Sequence, residues 1–199
     1  LVHFSTDYVF DGSAGRPLRE DDPPAPLGEY GRGKWAGEQA VRESGAAHRI
    51  FRLCWIYSGR GHNFLRTMLR LAGEREVLRV VADQRGTPTP AALVADAVAA
   101  TLRTHPRASG TWHLAAGGDT TWHGFATALL QGAHQRGLIG RLPAVEAITT
   151  ADYPTRARRP ADSRLDCRRL HADFGLHLDD WPVALARELD ALAAGAPPA

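Results

Sequence analysis

The sequence predicts an α/β protein with a largely parallel sheet, the C-terminal part of a doubly wound one, and a small mixed lobe. Three observations predict it. Short apolar runs alternate with stretches of helical periodicity along residues 1–136, the rhythm of βαβ units. The run His48–Tyr57 is apolar enough to be a central strand. From Gly137 onward the rhythm breaks into short apolar stretches, Pro143, Pro154 and Pro160, and a cluster of arginines. On this reading residues 1–136 carry the sheet domain, with lobe segments interleaved, and 137–199 supply mainly the lobe and the C-terminal helices.

The elements follow in order. Leu1–Thr6 reads as a short apolar strand running into a polar loop. A mixed loop from Asp11 to Pro17 and the prolines 23, 24 and 26 lead to a helix over Gly28–Glu43. The strand His48–Tyr57 comes next. Helix Asn63–Ala72, strand Val77–Ala82, helix Ala91–Arg103, strand Thr111–Ala115 and helix Thr121–Arg136 alternate after it. Two last helices are predicted at Cys167–Phe174 and Asp180–Leu192, and the closing Ala-Gly-Ala-Pro-Pro-Ala is expected to fray.

With 199 residues, 44% hydrophobic and 23% charged, the chain suits a globular protein with a proper core. A formal charge of +2 is too small to point to nucleic acid or a membrane surface. No charged-then-apolar leader opens the chain, and no apolar run approaches the ~18 residues of a membrane span. Cys54 and Cys167 match no metal spacing, and so few cysteines fit a reduced, cytoplasmic setting. Of the 24 basic residues all but Lys34 are arginine. A lone lysine in that background points to a position needing a compact ammonium on a flexible stem.

Tyr30 and Lys34 stand four residues apart on the predicted helix, so both project from one face. An ammonium beside a phenol favours its anion and makes it a better proton shuttle near neutrality. The lysine keeps donors for a second ligand such as a ribose hydroxyl. The spacing alone is a weak signal; its surroundings strengthen it. The helix carries Gly28, Gly31, Gly33 and Gly37, each costing about 1 kcal/mol against alanine in a helix interior. Close approach of a cofactor or a second helix explains their retention. Upstream, Ser5-Thr6-Asp7-Tyr8 places hydroxyls at the carboxyl end of a strand, where sheets of this class present ligands. The Thr6 hydroxyl can there join the Tyr30 phenol on one carbonyl oxygen, and the same residues also suit a helix cap or turn.

These residues resemble the catalytic stretch of extended short-chain dehydrogenases acting on nucleotide sugars: Ser5-Thr6-Asp7-Tyr8-Val9-Phe10-Asp11-Gly12, then Pro26 and Tyr30-Gly31-x-x-Lys34-x-x-Gly37-Glu38. Further blocks extend the likeness along nearly the whole chain. They are Phe51-Arg52-x-x-Trp55-x-Tyr57-x-Gly59-x-Gly61, Asp83-Gln84-x-Gly86-x-Pro88-Thr89, Gly110-Thr111-Trp112-His113-Leu114 and Tyr153-Pro154-Thr155-x-Ala157-Arg158-Arg159-Pro160. Within that superfamily the sequence most resembles the dTDP-4-dehydrorhamnose reductase family. The resemblance implies a Rossmann-type fold with a substrate-binding lobe. It also implies NADPH or NADH as cofactor, and a catalytic triad of Thr6, Tyr30 and Lys34, the last two also binding the cofactor. Reduction of the 4-keto group of a dTDP-4-keto sugar would follow, in dTDP-rhamnose biosynthesis. Asp7, Tyr8, Trp55, Arg158 and Arg159 match substrate-binding positions. Trp55 suits stacking on a flat ligand, and the arginines suit bidentate contact with a diphosphate. Trp112, His113, Trp122 and His123 are expected to pack the sheet and helices. No metal is carried over, because Pro90-Ala91-Ala92-Leu93 has no carboxylate. A homodimer through the Gly28–Glu43 helix fits the wider superfamily.

No Gly-rich turn between a strand and a helix stands in the chain to cradle a pyrophosphate. By resemblance the chain begins at the strand carrying the catalytic threonine, after the family's first βαβ units. The chain alone is then expected to be poorly soluble, because its first strand is an open apolar edge, and to be inactive. Two other readings belong to the same superfamily. One is a different nucleotide-sugar reductase or epimerase. The other is a non-catalytic subunit similar to the regulatory subunit of methionine adenosyltransferase.

Overall fold

The computed structural model describes residues 1–155 and 157–195. Most of the expected frayed tail, residues 196–199, lies outside the described residues. In chain order the elements are β1 (Val2–Thr6), α1 (Glu29–Glu43), β2 (Arg49–Leu53), β3 (Ile56–Tyr57), α2 (Phe64–Glu74), β4 (Val77–Val81), β5 (Arg85–Gly86), β6 (Thr89–Pro90), α3 (Ala91–Thr104), β7 (Gly110–Leu114), β8 (Thr120–Thr121), α4 (Trp122–Gln135), β9 (Ala144–Ile148), α5 (Arg168–Phe174) and α6 (Trp181–Ala193). The α/β class, the parallel pairing and every long element expected from the sequence are present, within a few residues at their ends.

Two local readings differ. The run read as one strand over His48–Tyr57 is broken at Trp55, whose φ of 45° is the only positive value among the described non-glycine residues. A left-handed residue ends the ladder of β2, and β3 then pairs elsewhere, with β6. Strand β9 was not expected. Its side chains are mostly exposed, so it lacks the apolar alternation that marks a half-buried strand, yet it pairs in parallel with β4 from Val77↔Ala144 to Val81↔Ile148.

The chain folds as two compact units, one of residues 1–54, 94–115 and 155–178, the other of 55–93, 116–154 and 179–199. The boundary expected at residue 136 does not divide them. Strands β2 and β7 are neighbours in one sheet, so the segment between them leaves that unit and the chain returns. Helix α4 and strand β9, on either side of residue 136, belong to the same unit.

The first unit is built on a parallel sheet of order β1-β2-β7. Alternation along the strands gives its faces opposite characters. Phe51 and Trp112 are register partners, and so are Leu53 and Leu114. Phe51, Trp112 and Leu114 form a cluster with Val94, Ala97 and Val98 of α3 and Leu170 and Phe174 of α5. The intervening row, Ser5↔Arg52↔His113, is polar and fully buried. Helix α1 supplies its counter-charge.

The second unit has an apolar centre. Leu65, Met68 and Ala72 of α2, Phe125, Ala126, Leu129, Leu130 and Ala133 of α4, Leu185 and Leu189 of α6, and Leu78 and Val80 of β4 make one cluster with Tyr57. Helix α2 is capped by Asn63, which accepts from the Arg66 N–H at 3.3 Å. No helix among the described residues is long and apolar enough to cross a membrane.

Candidate active site

Strand β1 ends at Thr6, and the chain turns at once into a single 3-10 turn, Asp7–Val9. Thr6 caps that turn: its Oγ1 accepts from the Tyr8 N–H at 3.2 Å. Its own hydroxyl donates to Asp7 Oδ1 at 2.8 Å. The cap expected from the sequence is therefore formed, with Thr6 6% and Asp7 3% exposed. Burial pushes the Asp7 carboxyl up to about 6, an effect that the surrounding Thr6, Cys54 and Ser163 side chains only partly offset. Asp7 Oδ2 has no hydrogen-bond partner.

Helix α1 is laid against this turn through Gly31. A Cβ at that position would stand 2.1 Å from the Tyr8 carbonyl oxygen, so no other residue permits the contact. The close approach expected from the glycines is real here, and its partner is the chain's own backbone. Around Gly33 there is open space instead. The contact brings the Tyr30 ring onto Tyr8, edge to face at 6.1 Å. Tyr30 stays 60% exposed, while Tyr8 is half-buried. Burial raises the Tyr8 phenol strongly, the Asp7 charge adds to that, and Arg159 opposes it. One turn on, the Lys34 ammonium donates to the Phe4 carbonyl at 3.0 Å. That bond ties α1 back to β1 and leaves the ammonium two further donors.

Thr6, Asp7, Tyr8, Tyr30, Lys34, Arg158 and Arg159 thus belong to one unit. Both arginines are exposed. Trp55 has different surroundings. It belongs to the other unit, and its indole is 8% exposed and stacked on Trp122 at 3.7 Å and 11°. Gly86 lies so close that a Cβ there would sit 2.4 Å from the indole Cε2. The ring expected to stack on a ligand is packed inside its own unit. The other aromatic and histidine residues play the packing roles expected. Trp112 contacts Phe51 and Phe174, His123 faces the Val145 carbonyl, and His113 is buried. Burial first, and Arg52 second, hold the His113 imidazole down at about 3, so it is neutral.

Sequence reasoning missed the group that anchors α1. Glu38, fully buried, accepts from Arg52 Nε at 2.9 Å and Nη2 at 2.8 Å, from Arg42 at 2.8 Å, and from the Ser5 hydroxyl at 2.5 Å. Burial alone would raise the Glu38 carboxyl; the bonds from Arg52, Ser5 and Arg42 outweigh it and hold it below its ordinary value. Ser5 directly precedes Thr6, and Glu38 lies one turn beyond Lys34. The cluster therefore fixes both ends of the candidate site. A signal existed: a central strand carrying Arg49 and Arg52 needs buried counter-charges.

The family model described as "RmlD substrate binding domain" matches residues 1–194. The chain belongs to that family. Among curated relatives, the dTDP-4-dehydrorhamnose reductase of Shigella flexneri is 47% identical over 195 residues, covering 96% of this chain and 65% of its own length. That of Escherichia coli K12 is 46% identical over the same shares. The chain therefore spans just under two thirds of these relatives. A solved dTDP-4-dehydrorhamnose reductase from Bacillus anthracis, in complex with NADP, superposes with a TM-score of 0.88 at 34% identity, over 95% of this chain and 64% of the other. The α/β architecture described above is that of an RmlD-type protein.

Proposed function

We propose that this RmlD-family chain carries the acid–base and sugar-binding part of a dTDP-4-dehydrorhamnose reductase, reducing the 4-keto group of dTDP-4-dehydro-L-rhamnose in the cytoplasm. The observation that supports the reading is the seating of α1, which carries Tyr30 and Lys34, on the Tyr8 backbone through Gly31, in the same unit as Thr6. The relatives' names support the substrate class.

NADPH or NADH, when bound, supplies the hydride. The exposed Tyr30 phenol and the Lys34 ammonium, which has donors to spare, suit the nicotinamide-ribose end of such a cofactor. Tyr30 delivers the proton to the ketone oxygen. Thr6 is the second donor to that oxygen, and two donors aimed at one developing oxyanion lower the barrier more than either alone. Asp7 and Tyr8 border the sugar. Arg158 and Arg159 are exposed guanidinium forks for its diphosphate, and the effect of Arg159 on the Tyr8 phenol supports that residue's lying on the Tyr8 side.

The test, made with the cofactor-binding βαβ units of a relative joined ahead of β1, is Tyr30→Phe, followed by NADPH oxidation with dTDP-4-dehydro-L-rhamnose and by titration of a dTDP-sugar. Loss of a positioned general acid costs about 10²–10⁴-fold in turnover, so kcat should fall by that much while dTDP-sugar affinity stays within a few-fold. A Tyr30→Phe variant with near-native kcat removes Tyr30 as proton donor. A protein that binds dTDP-sugar and never turns it over is a binding subunit.

A further inference from the structure

A hydroxyl has one hydrogen to give and two lone pairs to receive. In the structure the single Thr6 hydrogen goes to Asp7 Oδ1 at 2.8 Å, and one lone pair of its Oγ1 receives the Tyr8 N–H at 3.2 Å. Thr6 so arranged can only accept. A ketone oxygen needs a donor. The conflict is resolved if the proton between the two side chains belongs to Asp7. With the proton on Oδ1, the acid donates to Thr6 Oγ1, both lone pairs of the hydroxyl are filled, and the Thr6 hydrogen is free to turn to another oxygen.

The surroundings of Asp7 suit the neutral form. It is 3% exposed, and the Thr6, Cys54 and Ser163 side chains beside it only partly offset that burial, which a carboxylate tolerates badly and a neutral acid tolerates better. The groups around it are the Thr6 and Ser163 hydroxyls, the Cys54 thiol and the Tyr8 phenol. They come from the end of β1, the end of β2, the loop before α5 and the 3-10 turn, and none of them carries a positive charge. The raised Asp7 carboxyl agrees with this arrangement.

We propose that Asp7 is a positioning residue whose protonation decides whether Thr6 can donate to the substrate's carbonyl oxygen: the neutral acid frees the Thr6 hydrogen, and the carboxylate takes it back. The proposal rests on the reductase reading for its consequence in turnover, but the proton sharing itself does not depend on that reading.

Two measurements separate them. The first is carbon-13 NMR of the Asp7 carboxyl, which needs no activity. Its titration midpoint should lie at about 6, and Thr6→Val should raise it, because the lost hydroxyl stabilises the anion. A midpoint near the ordinary 3.8, or one that Thr6→Val does not move, overturns the proposal. The second is kcat against pH on the dTDP-4-keto sugar, with the cofactor-binding βαβ units of a relative joined ahead of β1. In the native protein kcat should fall as pH rises through the Asp7 midpoint, by on the order of 10²-fold, the cost of one lost oxyanion donor. KM should change little by comparison. In Asp7→Asn the amide N–H donates to Thr6 Oγ1 at every pH, so that inflection should disappear. An inflection that persists in Asp7→Asn, or a native kcat flat across the NMR midpoint, overturns the switch. Absence of turnover at every pH beside an intact NMR titration counts against the reductase reading and leaves the proton sharing standing.

Discussion

The two units keep their shape by different means. In the second, the centre of α2, α4 and α6 is aliphatic and aromatic, with Phe125 in ring contact with Tyr57, Phe64 and Trp181. Even there one buried acid is used: Glu188 accepts from the Gly59 N–H at 2.5 Å. In the first, one sheet face is apolar and the other is the buried polar row Ser5–Arg52–His113 against Glu38. Apolar packing is non-directional and tolerates small rearrangements. A carboxylate receiving bonds from Arg52, Arg42 and Ser5 fixes both distance and angle. The unit that carries the proposed reactive residues Thr6, Tyr30 and Lys34 is the one whose buried face relies on directional contacts.

Breaking that cluster should therefore produce the largest effect. Glu38→Ala leaves the Arg52 guanidinium, whose side chain is 2% exposed, without its counter-charge. Removing one partner of a buried pair costs about 3–5 kcal/mol, to be read as a lowered midpoint in urea unfolding. The same substitution frees Ser5 and the second half of α1, so turnover should fall further than the stability loss accounts for at temperatures where the variant remains folded. A Glu38→Ala protein with native stability means that Arg52 finds another partner, and the contrast between the units fails.

How much of this could be read in the sequence follows the same division. The strands, the long helices and the apolar centre of the second unit were legible because burial imposes periods of about two or 3.6 residues. The candidate reactive residues could be named because Tyr30, Lys34 and Thr6 sit in a motif of fixed spacing. Glu38 stands in that motif too, but its partners Ser5 and Arg52 are 33 and 14 residues away, and no local pattern connects them. The packing of Trp55 was hidden for a different reason. That residue was read as part of one continuous strand, whereas its φ is positive and its indole stacks on Trp122. Strand β9 pairs through its backbone with mostly exposed side chains, so composition could not mark it.

In the apolar unit the matching experiment is Leu129→Ala. Leu129 is fully buried in α4, so its truncation removes transfer energy and leaves a cavity, about 2–5 kcal/mol by urea unfolding. Its consequence for turnover should be no more than its consequence for the folded fraction. A kcat loss at full folding comparable to that of Glu38→Ala would mean that the apolar unit also sets the reactive geometry, and the proposed division of labour would fail.

The smallest of the three effects has the opposite sign. The Asp7 carboxyl rises from an ordinary 3.8 to about 6 in the folded chain. The folded state therefore holds its proton more tightly than the unfolded one. Stability from that proton is fully present below 3.8 and is lost as pH rises through about 6. A rise of that size is worth roughly 3 kcal/mol at most, since each tenfold change in proton affinity corresponds to about 1.4 kcal/mol. Asp7→Asn cannot ionise, so it should be more stable than the native protein at pH 8 by up to that amount, with the difference shrinking toward pH 4. Urea unfolding of both proteins at the two pH values measures it. Such a gain in stability would fit the proposed role of Asp7 toward Thr6 and not a packing role. If the difference between the two proteins is the same at pH 4 and pH 8, the buried carboxyl carries no proton of its own, and the directional contacts of the first unit reduce to Glu38 and its arginines.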